Sequence, residues 1–327
     1  MVREAVRSSL YVYTENVTGE SSYRGRLAPS PTGYLHIGHA QTFAIAGRRA
    51  RAAAGGVLVM RMEDLDTERS RPEYAQAALE DLRWLGIDWA EGPDVGGPLG
   101  PYAQSERGPI YLAAWKRLCE GGFIYPCRCS RKDLAAALSA PHEGAGRRAQ
   151  DPDDEPLYPG TCRPSRTDQG ILEIDADWDE PGGRNWRFHV PDGEAIEFED
   201  VNLGPQRFLA GVDFGDFLVW RRDGSPSYQL ACVADDAAMR ITEVVRGADL
   251  LKSTARQILL NRALGHTDPK WFHCELTVDE QGRRLAKRHD ALSIRELRNR
   301  GLTPGEILRR AERTDTPNHA QHAKPRF

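Results

Sequence analysis

Arg26-Leu-Ala-Pro-Ser-Pro-Thr-Gly-Tyr-Leu-His-Ile-Gly-His39 is the stretch that decides the fold. A short apolar run reaches Pro29 and Pro31, which interrupt regular structure, and Gly33 then allows a tight turn. An alanine-rich helical pattern begins at about Gly38. The stretch therefore predicts a strand, a sharp loop and a helix start, where free backbone N–H groups and the positive end of the helix dipole form an anion site.

Two histidines, His36 and His39, straddle the predicted helix start and lie three positions apart. Both side chains can donate a hydrogen bond to a phosphate. A lone His-x-Gly-His is weak evidence, because nucleotidyltransferases of several kinds carry it, and the run of fourteen residues is more specific. The alternative is a capped helix with two surface histidines.

The composition describes an ordinary globular protein. The chain has 327 residues, 40% of them hydrophobic and 28% charged, which suits one large α/β domain with insertions or two domains. The net charge of -4 limits any nucleic-acid contact to local patches. No apolar run approaches the roughly 20 residues of a membrane span. Six cysteines without a disulfide-like spacing favour a reduced, cytoplasmic protein.

Short apolar runs alternate with helical segments through the first part of the chain. Residues 56–61 read as a buried strand, and residues 72–85 and 110–120 read as amphipathic helices. This βαβα order predicts an α/β fold with a doubly wound, Rossmann-type parallel sheet. Strand-like alternation follows within residues 171–210, and the α/β pattern returns at residues 216–220.

These patterns predict five segments. They are a flexible N-terminal extension (1–22), the first half of the catalytic domain (23–125), an insertion (126–210), the second half of the catalytic domain (211–290), and a short helical segment with a tail (291–327).

The opening run resembles the His-Ile-Gly-His signature of class I aminoacyl-tRNA synthetases, in the form used by the glutamyl and glutaminyl branch. The resemblance implies that His36, Gly38 and His39 hold the phosphates of ATP, which binds with Mg²⁺. Arg284-Leu-Ala-Lys-Arg288 resembles the Lys-Met-Ser-Lys-Ser loop of the same family. There Lys287 would stabilise charge on pyrophosphate, although Arg284 and Ala286 depart from the family pattern.

The same resemblance implies a binding site for L-glutamate. Glu63, in Arg61-Met-Glu-Asp64, would receive the ammonium group, and Arg246 suits a dicarboxylate because guanidinium binds carboxylate through two parallel hydrogen bonds. The implied glutamate contacts are Arg26, Leu27, Ala28, Pro29, Ser30, Glu63, Tyr228 and Arg246. The alternative for any one charged member is a surface ion pair.

A metal site is the interpretation of Cys127-Arg-Cys129 followed by Cys162. Three thiolates suit one structural zinc ion, and a fourth ligand would complete a tetrahedron. The resemblance supplies Tyr158 as that ligand, with His142 as a possible substitute, and three reduced core cysteines are the alternative. Cys119, Cys232 and Cys274 lie within apolar patterns and are expected to be packing residues.

Only 39 residues follow Arg288, and they read as one or two helices and a polar tail, so we expect no anticodon-binding domain. Over residues 23–300 the chain most resembles the glutamyl-queuosine tRNA(Asp) synthetases, stand-alone catalytic-core paralogues of glutamyl-tRNA synthetase. That family activates glutamate with ATP and esterifies it to the queuosine base at the anticodon wobble position of tRNA(Asp). The implied partners are ATP, L-glutamate and queuosine-containing tRNA(Asp), with no membrane, and the expected state is a monomer.

Three other functions stay open at this point. A truncated glutamyl-tRNA synthetase would charge a tRNA 3′ end. A small-molecule nucleotidyltransferase would release pyrophosphate without glutamate. A non-enzymatic tRNA-binding paralogue is suggested by the altered loop at Arg284 and Ala286.

Overall fold

The computed structural model describes residues 22–130, 133, 157–165, 178–276 and 293–313. The strands in these ranges are β1 (Arg24–Leu27), β2 (Val57–Met60), β3 (Ile124–Cys127), β4 (Asn185–Phe188), β5 (Ala195–Asp200), β6 (Gly204–Leu209), β7 (Phe217–Trp220), β8 (Glu243–Gly247) and β9 (Lys270–Cys274). The α-helices are α1 (Ile37–Ala52), α2 (Pro72–Trp84), α3 (Gly108–Glu120), α4 (Tyr228–Ala238), α5 (Leu251–Leu264), α6 (Ile294–Asn299) and α7 (Pro304–Arg313). The predicted extension, apart from Ser22, lies outside the described residues.

Parallel strands form the centre of the molecule, as the βαβα order predicts. β1 pairs in parallel with β2, and β8 pairs in parallel with β9. The two pairs lie side by side, since Thr242 N donates to Arg24 O at 2.9 Å and the Arg26 side chain donates to Val245 O at 2.9 Å. β8 therefore runs in the same direction as β1, and all four strands end at one edge. In such folds, ligands bind at this carboxyl edge.

The middle of the chain adds two antiparallel units whose partners differ from the prediction. β7, which we expected to resume the α/β pattern, pairs antiparallel with β4, and β4 pairs antiparallel with β3. β5 lies within the predicted insertion, yet it pairs with β9 at Asp200 and Trp271. Alternation of apolar residues identifies a strand but contains no information about its partner. The segments 126–210 and 211–290 are thus interleaved in the sheets.

Two apolar clusters hold these layers together. One packs α3 and α4 against β4 and β7, around the fully buried indoles of Trp115 and Trp186, whose rings meet edge to face with centroids 5.0 Å apart. The other packs α1 and α2 on β1 and β2, around Leu27 and Leu82. None of the helices in the described ranges has the length and apolar character needed to cross a bilayer.

A buried ionic network ties α4 to the strands beneath the carboxyl edge. Asp235, fully buried, accepts from Arg107 Nε at 2.5 Å, from Gln104 Nε2 at 2.7 Å and from Tyr111 OH at 3.0 Å. Arg61 bonds the neighbouring Asp236 at 2.6 Å. Buried charges need such partners, because an unpaired ion in the protein interior is costly. The network fixes the position of the residues that follow β2.

The basic residues near the end of the described chain are partly ion-paired. Arg295 contacts Glu80 at 2.6 Å and Asp81 at 3.3 Å, and Arg300 contacts Glu296 at 2.7 Å. These two arginines are therefore part of an ion-paired helical surface.

Candidate active site

A cavity of about 480 Å³ opens at the carboxyl edge of the parallel strands. Nine of the residues predicted from the sequence line it: Arg26, Ala28, Ser30, His36, Gly38, His39, Glu63, Tyr228 and Arg246. They come from the ends of β1, β2 and β8 and from the starts of α1 and α4. The cavity therefore combines the predicted phosphate site and the predicted amino-acid site in one space.

Leu27 and Pro29 do not line the cavity. The Leu27 side chain is fully buried in the apolar cluster under α1. Both residues act through their backbone, because Leu27 O accepts from Arg61 N at 2.8 Å and Pro29 O accepts from Glu63 N at 3.0 Å. These two bonds hold the segment after β2 in place. The side chains of Leu27 and Pro29 are not among those that line the cavity.

The two histidines cap the helix that they begin. His36 Nδ1 accepts from Gly38 N at 3.2 Å, and His39 Nδ1 accepts from His36 N at 3.1 Å. The prediction of free backbone N–H groups is therefore wrong for Gly38 and His36, whose N–H groups are occupied by imidazole nitrogens. The rings lie against each other, with centroids 3.8 Å apart.

Burial keeps both imidazoles neutral. It lowers the pKa of His36, and burial together with the neighbouring His36 lowers the pKa of His39 to about 3. Since Nδ1 of each ring accepts a hydrogen bond, the hydrogen of each neutral ring must be on Nε2. The helix start thus offers two Nε2–H donors in place of the N–H groups of Gly38 and His36.

Glu63 places a carboxylate in the cavity wall. Arg61, which is fully buried, contacts Glu63 Oε1 at 3.2 Å, and the Cys232 thiol lies 3.5 Å from the same oxygen. Burial raises the pKa of Glu63, and the charges of Arg61 and Arg26 partly oppose that rise. The cavity is therefore equipped to receive a cation at Glu63.

Arg246 places a guanidinium in the same cavity, held by side chains that the sequence did not single out. It donates to Thr254 Oγ1 at 2.7 Å, to Gln257 Oε1 at 2.9 Å and to His273 Nε2 at 3.1 Å. Thr254 and Gln257 lie three positions apart in α5 and therefore share one helix face. Two polar residues on a face among buried leucines were the sequence signal that could have identified them. No motif marks His273.

Tyr228 begins α4 and lines the cavity, and the residue is 38% exposed. The preceding Ser227 caps this helix, with its hydroxyl oxygen accepting from Leu230 N at 3.4 Å. The cap fixes the first turn of the helix and with it the place of the tyrosine ring.

The loop that contains Lys287, Arg284 and Ala286 lies outside the described residues. Glu275 and Leu276, the last described residues before it, line the cavity. The chain therefore leaves β9 beside the site, and the role of Lys287 stays a prediction.

Three of the predicted metal ligands form a cluster whose sulfur atoms all lie within 4.8 Å of one another: Cys127, Cys129 and Cys162. The sulfurs of Cys129 and Cys162 are 3.6 Å apart, and Tyr158 OH lies 3.5 Å from the Cys127 sulfur and 3.7 Å from the Cys129 sulfur. Sulfur ligands at the usual zinc distance are about 3.8 Å apart in a tetrahedron. The spacing of this donor set fits a metal ion, and these cysteines can hold one. His142 lies outside the described residues.

The other three cysteines lie elsewhere. Cys232 and Cys274 are buried, and Cys119 is half-buried against the larger apolar cluster, as expected for packing residues. Cys232 in addition contacts Glu63.

Comparison with known proteins identifies the family. The family model described as tRNA synthetases class I (E and Q), catalytic domain, matches residues 22–323. Two relatives are named glutamyl-Q tRNA(Asp) synthetase. The one from Symbiobacterium thermophilum is 49% identical over 87% of this chain and 84% of its own length. The one from Nitratidesulfovibrio vulgaris is 47% identical over 87% of this chain and 83% of its own length. A glutamate–tRNA ligase 2 from Nitrosococcus oceani is 42% identical over 87% of this chain and 57% of its own.

The fold agrees with the family match. The crystal structure of glutamate-tRNA synthetase from Elizabethkingia anophelis superposes with a TM-score of 0.66 and 26% identity over 86% of this chain. The match covers 54% of the synthetase, so the chain spans about half the length of that enzyme. By sequence and by fold, this chain belongs to the class I tRNA synthetases of the glutamate and glutamine (E and Q) branch, as a ligase built on their catalytic domain.

Proposed function

We propose that this chain activates L-glutamate with ATP and Mg²⁺, as glutamyl-adenylate, and transfers the glutamyl group to the queuosine base at the anticodon wobble position of tRNA(Asp). One observation carries the first step: a single cavity combines two neutral imidazole donors, a buried carboxylate and a firmly held guanidinium. Those groups match the phosphates, the ammonium and the side-chain carboxylate of the two substrates.

In the activation step, an oxygen of the glutamate α-carboxylate attacks the α-phosphorus of ATP in line. The bond from that phosphorus to the bridging oxygen breaks, and pyrophosphate leaves. His36 and His39 donate from Nε2 to phosphate oxygens. Lys287 would offset charge on the leaving pyrophosphate, and Mg²⁺ bound with ATP would supply further positive charge there. No residue needs to form a covalent bond with the substrates, because orientation of two bound substrates can supply a large part of the rate.

Glutamate is oriented by opposite charges in the cavity wall. Glu63 binds the ammonium group and Arg246 binds the side-chain carboxylate, while Arg26, Ser30 and Tyr228 complete the pocket. Both charged residues are largely withdrawn from water, where charge-assisted hydrogen bonds are strong.

In the transfer step, a hydroxyl group of the queuosine cyclopentene ring attacks the activated carbonyl carbon, and AMP leaves. The choice of this acceptor is supported by the two relatives of similar length that are named glutamyl-Q tRNA(Asp) synthetase. Charging of a tRNA 3′ end is the second candidate, because the glutamate–tRNA ligase 2 of Nitrosococcus oceani is also 42% identical.

We further propose that Cys127, Cys129, Cys162 and Tyr158 hold one structural zinc ion. The support is the close spacing of their sulfur and oxygen atoms, which suits ligands of one metal ion. Arg187 donates to the Cys127 sulfur at 3.4 Å, and its cation offsets the excess negative charge of a thiolate-rich site. A metal ion held by these residues would tie β3 to residues 157–165 as a structural link.

The test of activation is exchange of labelled pyrophosphate into ATP by the purified protein. The proposal expects exchange that requires glutamate and proceeds without tRNA. Exchange without glutamate would indicate a small-molecule nucleotidyltransferase. Exchange that requires tRNA would favour a glutamyl-tRNA synthetase, and tRNA binding with no exchange would favour a non-enzymatic paralogue.

A further inference from the structure

The Arg246 side chain is fixed by hydrogen bonds from all three of its nitrogen atoms. Its side chain is buried, with 5% exposed, and its Nε, Nη1 and Nη2 atoms each donate to a different side chain. The indole of Trp271 covers one face of the guanidinium, 5.0 Å from the ring centroid. Of the five N–H groups of an arginine, at most one on each terminal nitrogen is left for a ligand.

The partner on Nε is a histidine that is itself fixed by a carboxylate. His273 Nε2 accepts from Arg246 Nε, so the hydrogen of the neutral ring lies on Nδ1, which faces Asp200 Oδ2 at 2.6 Å. Both His273 and Asp200 are fully buried side chains. Burial and the charge of Arg246 lower the pKa of His273 to about 4, in agreement with the neutral ring.

Asp200 is fixed in turn by the backbone around it. Its Oδ1 accepts from Asn202 N at 3.0 Å and from Leu203 N at 2.9 Å, in the turn between β5 and β6. Its Oδ2 accepts from His273 N at 3.1 Å. These backbone donors fix the orientation of the Asp200 carboxylate. Asp200, His273 and Arg246 thus form a buried line of negative, neutral and positive groups.

We propose that Asp200 and His273, together with Thr254 and Gln257, are positioning residues that orient Arg246 toward the side-chain carboxylate of glutamate and so set the preference for glutamate over glutamine. This inference rests on the proposed function. Two N–H groups on the two terminal nitrogens are parallel, and they pair with both oxygens of a carboxylate. A carboxamide in the same place turns its NH₂ group toward one of them, which leaves that donor unpaired.

The fixed tautomer of His273 is essential to this selection. An arginine that can rotate would meet an amide through a single hydrogen bond and lose the discrimination. Three acceptors and a covering indole remove that freedom, and Asp200 prevents the imidazole from presenting a hydrogen to Arg246. Asp200, at the end of β5, thereby acts on Arg246 through His273, which lies 73 positions further along the chain.

The experiment compares glutamate and glutamine in pyrophosphate exchange by His273→Leu and Thr254→Val. Thr254→Val keeps the shape of the side chain on α5 and removes one acceptor, so it serves if His273→Leu does not fold. For each folded variant we expect the KM for glutamate to rise about tenfold and the glutamate-to-glutamine ratio of kcat/KM to fall about tenfold. The KM for ATP is expected to stay unchanged. His266→Leu is the matched control, since His266 is not among the residues that line the active-site cavity.

A folded Thr254→Val protein with an unchanged ratio would overturn the inference while the proposed function stands. A fall in kcat alone, equal for both amino acids, would also overturn it, since loss of folded enzyme has that effect. Wild-type protein without glutamate-dependent exchange would overturn the proposed function and this inference together.

Discussion

At the scale of single residues, the two histidines of the opening run have two tasks each. Nδ1 accepts a backbone hydrogen bond at the start of α1, and Nε2 is left to donate to a ligand. The sequence predicted that these residues meet Arg26, Glu63, Tyr228 and Arg246, and all six line one cavity. It did not predict His273 or Asp200, because 73 positions separate them and no spacing rule relates a strand end to a residue of a distant strand.

Replacement of His36 separates its two tasks. Asparagine is a good helix N-cap, so we expect His36→Asn to change the free energy of unfolding by less than about 0.5 kcal/mol, whereas His36→Ala should lose about 1 kcal/mol. Both lack the Nε2–H donor, and we expect kcat/KM for ATP to fall about 100-fold in each. Urea unfolding and pyrophosphate exchange measure the two effects. Full activity in a stable His36→Asn protein would leave His36 as a cap alone.

Glu63 predicts a pH dependence of glutamate binding. The ionised carboxylate attracts the ammonium group, and burial raises the pKa of Glu63. As the pH falls through that raised pKa, the charge is lost, so the KM for glutamate should rise at a higher pH than an ordinary carboxyl group would cause. Glu63→Gln should raise the KM about 10- to 100-fold and abolish this dependence. If the KM for glutamate still rises at the same low pH in the variant, the pH dependence belongs to another group.

At the scale of elements, local patterns predicted the strands and helices better than their partners. The strand predicted at residues 56–61 and the helices predicted at residues 72–85 and 110–120 form within two residues of those bounds. β7 pairs with β4 and not with the parallel strands. The sequence could not predict this choice, because the apolar face of a short strand fits either sheet. The contacts that decide between them, such as the stacked rings of Phe188 and Phe217, join distant parts of the chain.

The metal cluster gives a prediction at this scale. We expect one zinc ion per chain by elemental analysis, and its loss together with a lower melting temperature in Cys129→Ser, because a structural metal links β3 to residues 157–165. Cys119→Ser is the control, since Cys119 is half-buried outside the cluster. Wild-type protein purified without chelator and free of metal would instead support three reduced core cysteines.

At the scale of the whole molecule, the parallel strands bring separate parts of the chain to one edge. β1 contributes Arg26, the end of β2 leads to Glu63, and β8 contributes Arg246, while β9 ends beside the same cavity. The βαβα order predicted that edge, since parallel strands joined by helices end together. The residues at this edge match ATP and glutamate, and none of them identifies the acceptor RNA. The activation of glutamate therefore follows from the geometry more directly than its transfer to RNA.

The location of the transferred glutamate tests that acceptor directly. Purified protein is incubated with ATP, Mg²⁺, labelled glutamate and tRNA(Asp) that contains queuosine, and the RNA is then cut with nuclease. We predict that the label is on the anticodon fragment and is missing when the tRNA lacks queuosine. Label on the 3′-terminal adenosine would contradict this and assign the chain to 3′-end charging.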